Sequence, residues 1–247
     1  MKTLLANLAL AATVLQLPLA AAVIGKKLWR SFPVFAVYSL TNLIAAVVLY
    51  GTRRIGPTSY VNFYTYWAFE GIAVVLGFGV VYEIFRELLQ PYAALRRIAA
   101  TSFRWVLVGL IVLAGTVAYA RPSGLPPIMA AVEIPEEAAR VVEVGLLVFL
   151  FAFSRAFGLH WRQNIFGIAL GLGVFTSVEL AAVAMHTLMG QSAYQAFNLA
   201  RGLSFNASLL IWMGYIFAPE RVTSTAALPQ RAQLEQWNQA MMELIHQ

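Results

Sequence analysis

The 247-residue chain contains no cysteine and no aspartate. Without cysteine there are no disulfides, no thiolate metal sites and no thiol nucleophile. All 11 acidic residues are glutamates, which removes catalytic aspartate pairs and the aspartate clusters that hold Mg²⁺ in phosphotransferases. Lysine is restricted to Lys2, Lys26 and Lys27. A retinal Schiff base needs a lysine in the last helix, so a rhodopsin-type pigment is excluded. Histidine occurs only at His160, His186 and His246, and no two of these are expected at the same depth, as a haem held between helices would require. The HExxH, GxSxG and GxxxxGK[ST] patterns are missing too. No catalytic constellation, metal site or cofactor is therefore expected.

Charge is also scarce. Charged residues make up 11% of the chain, against about 25% in an ordinary soluble domain. Hydrophobic residues make up 60%, and the mean hydropathy is +0.72. A soluble chain of this size could not bury that much apolar surface, so lipid must be the solvent for much of it. This excludes a soluble enzyme, a nucleic-acid-binding domain and a disordered protein. The net charge of +6 comes mainly from arginine and needs no nucleic-acid partner, because basic residues gather in cytoplasmic loops of membrane proteins.

Seven apolar runs are each long enough to cross a hydrocarbon core of about 30 Å as a helix. They cover residues 4–24, 32–50, 60–85, 103–120, 141–159, 165–189 and 196–218. The first run has some features of a signal peptide, but Lys26, Lys27 and Arg30 follow directly and disfavour translocation of what comes next. A retained first helix is expected; cleavage would leave six. The expected fold is thus an all-α integral membrane bundle of seven transmembrane helices. Residues 1–218 form the membrane domain and 219–247 a cytoplasmic tail. From about residue 229 that tail carries Leu234, Trp237, Met241 and Leu244 at helical spacing, as in an amphipathic helix lying on the membrane or docking a partner or a second copy.

Orientation follows from basic residues by side. With the N-terminus outside and the C-terminus cytoplasmic, eleven lysines and arginines fall inside and five outside, Arg140 among the five. Multi-pass residence in a bacterial inner membrane is the expected localisation. The longest outer connection, 121–139, holds Pro122, Pro126, Pro127 and Pro135, and is expected to be a rigid cover rather than a helix.

Polar residues within the runs are the candidate site, because a charge in lipid costs at least a few kcal/mol and needs a partner. Asn62, Thr65, Tyr66 and Glu70 share one face of the third run. Thr176, Glu179 and His186 share a face of the sixth, and Tyr194, Asn198, Arg201, Ser204 and Ser208 a broad face of the seventh. Arg140 and Glu143 open the fifth, with Glu136 one turn earlier. Depth places most of these in the outer half. Glu70, Glu179, Arg201, Asn198, Tyr66 and His186 are the residues expected to line a ligand or ion pocket. Arg201 is expected to pair with Glu70 or Glu179, which leaves one acid over.

The stretch YWAFEGIAVVLGFGVVYEIFRELLQPYAALRR, residues 66–97, resembles a segment of short multi-pass bacterial membrane proteins with no assigned activity. It implies no ligand or catalytic residue. In architecture the chain is similar to seven-helix input modules of bacterial sensor kinases, without a kinase. Glu136-Glu137-Ala138-Ala139-Arg140 resembles the EExxxR of CAAX-type membrane proteases, but it is one residue short and lacks the partner FxxxH. The expected function is a receptor-like or sensory module with a pocket in the outer half, acting on a cytoplasmic partner. A small transporter or channel subunit for a cation, proton or small polar solute is the alternative. A polar track running on to the inner side would favour transport, and a dead end would favour sensing.

Overall fold

A computed structural model describes residues 2–55, 60–120, 127–159, 161–189 and 194–218; within the helices, the side chains of 2, 53–55, 93–97, 117–118, 120, 127–134, 183–189 and 194–195 fall outside the description. The tail 219–247, expected to carry an amphipathic helix, lies outside the described residues. Everything described is helical or a short connection. The helices are α1 (Lys2–Gly25), α2 (Leu28–Ser31), α3 (Pro33–Ile55), α4 (Tyr60–Leu89), α5 (Ala93–Ala120), α6 (Pro127–Ala156), α7 (Gln163–Met189) and α8 (Tyr194–Phe217). All seven expected runs are helices, joined by the extra single turn α2. Five of the long helices, α1, α3, α4, α5 and α7, contain stretches long and apolar enough to cross a membrane. The other two, α6 and α8, carry the two arginines of the site described below.

One boundary expectation is overturned. The proline-rich connection is not a cover as far as Ala139, because α6 begins at Pro127 and runs through Pro135. Proline is tolerated in a first turn, where its missing N–H would be unpaired anyway. Inside a membrane bundle a second proline removes one backbone bond from a long helix, and local adjustments compensate. The helical start puts Glu136, Arg140 and Glu143, at spacings of four and three, on one face.

The helix ends at one pole are tied by side chains from other helices. Phe32 is the residue before α3, and its carbonyl accepts from Ala36 N–H, but phenylalanine has no oxygen with which to cap the helix. Glu83 of α4 supplies it: Oε1 accepts from Val34 N–H at 3.0 Å and Oε2 from Phe35 N–H at 2.9 Å. A carboxylate at a helix N-terminus also meets the positive end of the dipole. At the same pole the Lys26 ammonium donates to the Ile216 carbonyl of α8 at 2.6 Å, and Gln163 Nε2 donates to the Tyr215 carbonyl near the end of α8 at 3.2 Å.

α7 and α8 pack closely along glycines. A Cβ at Gly171 would collide with the Trp212 indole, and one at Gly167 with Tyr215. Small residues at such positions let helices approach in lipid, where no hydrophobic force drives them together. The seam is also hydrogen-bonded: Ser208 Oγ donates to Gly171 O at 2.8 Å and Trp212 Nε1 to Ile168 O at 3.2 Å. α1 joins α8 through Asn206 Nδ2, which donates to Leu8 O at 3.2 Å. α5 lies mainly on α6, and between α4, α5 and α6 an apolar cavity of about 720 Å³ remains.

Candidate functional site

The polar faces of α4, α6, α7 and α8 meet. Arg140 of α6 is the centre. Its Nη2 lies 2.6 Å from Glu70 Oε1 and 2.8 Å from Glu179 Oε2, and its Nη1 lies 3.0 Å from Glu143 Oε2. The contacts to Glu70 and Glu143 are aligned hydrogen bonds, while that to Glu179 is an ion contact without such alignment. Phe175 of α7 places its ring 5.6 Å from the guanidinium carbon, within range of a cation–π contact. Arg140 is 3% exposed.

Arg201 of α8 forms the second node. Its Nη2 donates to Glu179 Oε1 at 2.9 Å and to Glu136 Oε1 at 3.4 Å, and its Nε donates to Glu179 Oε1 at 3.1 Å. The expected partner, Glu179, is therefore found, and Glu70 turns instead to Arg140. Tyr66, one turn before Glu70, lies in the electrostatic field of Glu70, Arg201 and Glu136. Asn198 sits one turn before Arg201 on α8 and is half-buried. His186 lies on α7, but its side chain is outside the described residues.

Depth agrees among α4, α7 and α8. Glu70 is ten residues into α4, Glu179 ten residues before the end of α7 and Arg201 seven residues into α8. At 1.5 Å per residue these are about 10–15 Å from one pole of the bundle. The opposite pole is the one closed by Glu83 and Lys26.

The expected charge count changes. Two acids against one arginine become four, Glu70, Glu136, Glu143 and Glu179, against two, Arg140 and Arg201. Two carboxylates are in excess. One oxygen, Glu143 Oε1, has no hydrogen-bond partner and is fully buried against the backbone of Gly77. A side chain larger than glycine at 77 would collide with it. In the sequence Arg140 is grouped with Glu136 and Glu143 at the start of the fifth run but is counted among the outer basic residues, and only Arg201 is expected to pair with the acids. The available signal was its spacing: Glu136, Arg140 and Glu143 form a charged helical face, but only if the helix starts before Pro135.

Access and closure differ on the two sides of the cluster. Between α4 and α6 a recess of about 230 Å³ reaches Glu70 and Glu136, with Trp67, Val74 and Pro135 as its walls. On the far side Tyr38, hydrogen-bonded to Asn42, comes first. Beneath it the Trp212 indole packs edge-on against Tyr38 and Phe35, with ring centroids 6.1 and 5.3 Å apart. Two hydroxyls at this level are spent on backbone: Thr176 Oγ1 donates to Leu172 O at 2.9 Å and Ser208 Oγ to Gly171 O. Among the described residues, no groups of three or more metal-ligating side chains could hold a metal ion.

Comparison with known protein families, with characterised proteins and with solved structures finds no match. The functional reading therefore rests on the geometry of the site.

Proposed function

We propose that the chain is a seven-span protein of a bacterial cytoplasmic membrane, with its N-terminus outside, and that it is a receptor-like module. It responds to a cation, to protons or to a small polar cation at the carboxylate–guanidinium cluster in the outer half of the bundle, and acts on a cytoplasmic partner. The observation that carries this reading is the excess of two carboxylates around Arg140 and Arg201, beside a recess that opens onto Glu70 and Glu136. Net negative charge in lipid needs positive charge from protons or a bound cation, so occupancy of the site changes its electrostatics. The aromatic closure formed by Trp212, Phe35 and Tyr38 favours a dead-end pocket over a transport path. Orientation gains from the position of Arg140. A buried arginine is not a loop charge, and removing it from the outer tally leaves eleven basic residues inside against four outside.

The test is thermal stability of the purified full-length protein across pH and in Na⁺, K⁺ or Mg²⁺, for the native chain, Glu70→Gln and Glu136→Gln. The native chain should melt at a temperature that depends on pH or on one cation, and either substitution should flatten that dependence. Flux of protons or a cation through reconstituted protein would favour the transporter reading. A melting temperature indifferent to every condition would leave the cluster as a structural lock only.

A further inference from the structure

At the pole opposite the carboxylate cluster, the turn between α1 and α2 meets the start of α7 and the end of α8. They enclose a cavity of about 320 Å³ whose lining includes Lys26, Lys27, Arg162, Ser31 and Asn164. Among the described residues, three of the lining side chains are cationic and none is acidic. We propose that this cavity binds a phosphate-bearing anion, and that the phosphate is the headgroup of an anionic phospholipid or a free phosphate group.

Three observations support this. Charge comes first: three cations converge on one cavity whose lining is about half polar, whereas the cavity between α4, α5 and α6 is almost wholly apolar. Basic pockets between membrane helices are suited to anionic headgroups. Second, the turn brings two of the cations together. Lys26 is anchored on the Ile216 carbonyl, and Lys27 adopts φ 55°, a left-handed conformation that a lysine takes only when its surroundings require it. That turn puts both consecutive lysines on the lining. Third, the level is right for a headgroup. Trp29, with Arg30 against its ring at 5.3 Å, and Trp161 next to Arg162 lie at this pole, as aromatic residues do at a membrane–water interface.

The inference is independent of the receptor reading, because it uses other residues at the other pole. It is tested with the full-length protein in detergent by native mass spectrometry, counting phospholipid adducts with phosphatidylglycerol or phosphatidylcholine, with and without inorganic phosphate. The variants are Lys27→Gly, which removes a charge and relieves the left-handed backbone, and Arg162→Gln, an exposed position. Arg104→Gln, an exposed arginine on α5 outside the cavity, removes the same charge as a control. Phosphatidylglycerol should bind the native chain in preference to phosphatidylcholine. Each cavity variant should weaken it about fivefold, and the pair tenfold or more, with Arg104→Gln near native. Phosphatidylglycerol binding that inorganic phosphate does not displace assigns the site to a lipid headgroup. Protection and displacement by inorganic phosphate alone assign it to a free phosphate group. Equal loss in Arg104→Gln, or no preference for either phosphate source, overturns the proposal. A drop in melting temperature cannot be mistaken for a loss of the site, because adducts are counted only on folded, monodisperse protein and Lys27→Gly is expected to fold at least as well as the native chain.

Discussion

Arg140 and Arg201 are bridged by a single carboxylate: Glu179 presents Oε2 to Arg140 at 2.8 Å and Oε1 to Arg201 at 2.9 Å. Three helices, α6, α7 and α8, are thereby joined by one side chain. The two arginines are not equivalent, however. Arg140 is 3% exposed and Arg201 27%, so the first is enclosed by protein and the second reaches the surface of the bundle.

Arg140→Leu should consequently be the more damaging substitution. It leaves Glu70, Glu143 and Glu179 short of a shared counter-ion, and breaking a buried pair costs about 3–5 kcal/mol. Arg201→Leu should cost clearly less. Melting of the purified protein orders the two. Adding Glu143→Gln to Arg140→Leu should recover part of the loss but not all of it, since two other acids remain. An Arg201→Leu protein less stable than Arg140→Leu would contradict the assignment of Arg140 as the centre.

Gly77 and Glu143 form a second testable pair. A methyl group at position 77 meets Glu143 Oε1, so Gly77→Ala should destabilise by about 1–3 kcal/mol through overpacking. In a chain already carrying Glu143→Ala the same change should be nearly neutral. A double-mutant cycle measures this coupling, and additivity of the two substitutions would show that they do not touch.

Glu83 should matter for folding and not for the pocket. Glu83→Ala leaves the Val34 and Phe35 N–H groups unpaired at a buried helix start, and a cost of about 1–2 kcal/mol is expected. The cation or pH dependence of melting should persist in this variant. Its disappearance would mean that the two poles are coupled.

Topology is checked without background, because the chain has no cysteine. In the proposed orientation Ser31→Cys should be protected from a membrane-impermeant thiol reagent in intact cells, whereas Tyr60→Cys, at a residue 82% exposed, should be labelled. Reversed labelling would move the carboxylate cluster to the cytoplasmic side.

The sequence by itself determined the solvent, the helical class and the seven long helices. Each rests on local information: a run of apolar residues is helical in lipid because its backbone has no other way to satisfy its hydrogen bonds. The same local logic named Glu70, Glu179 and Arg201, since a charge inside an apolar run stands out wherever it occurs. What only tertiary structure decided was pairing. Arg140 lies just before an apolar run, next to a proline-rich stretch, and its spacing to Glu136 and Glu143 marks a shared helical face without saying which helices that face meets. It becomes the centre because α6 starts at Pro127 and turns Glu136, Arg140 and Glu143 toward α4 and α7. Glu83 lies near the end of an apolar run, yet it caps a helix that begins 50 residues earlier in the chain, at Pro33. The basic cavity likewise takes its cations from the start of the chain and from the start of α7. Contacts of this kind depend on which helices pack side by side, and the residues involved carry no periodicity that records it.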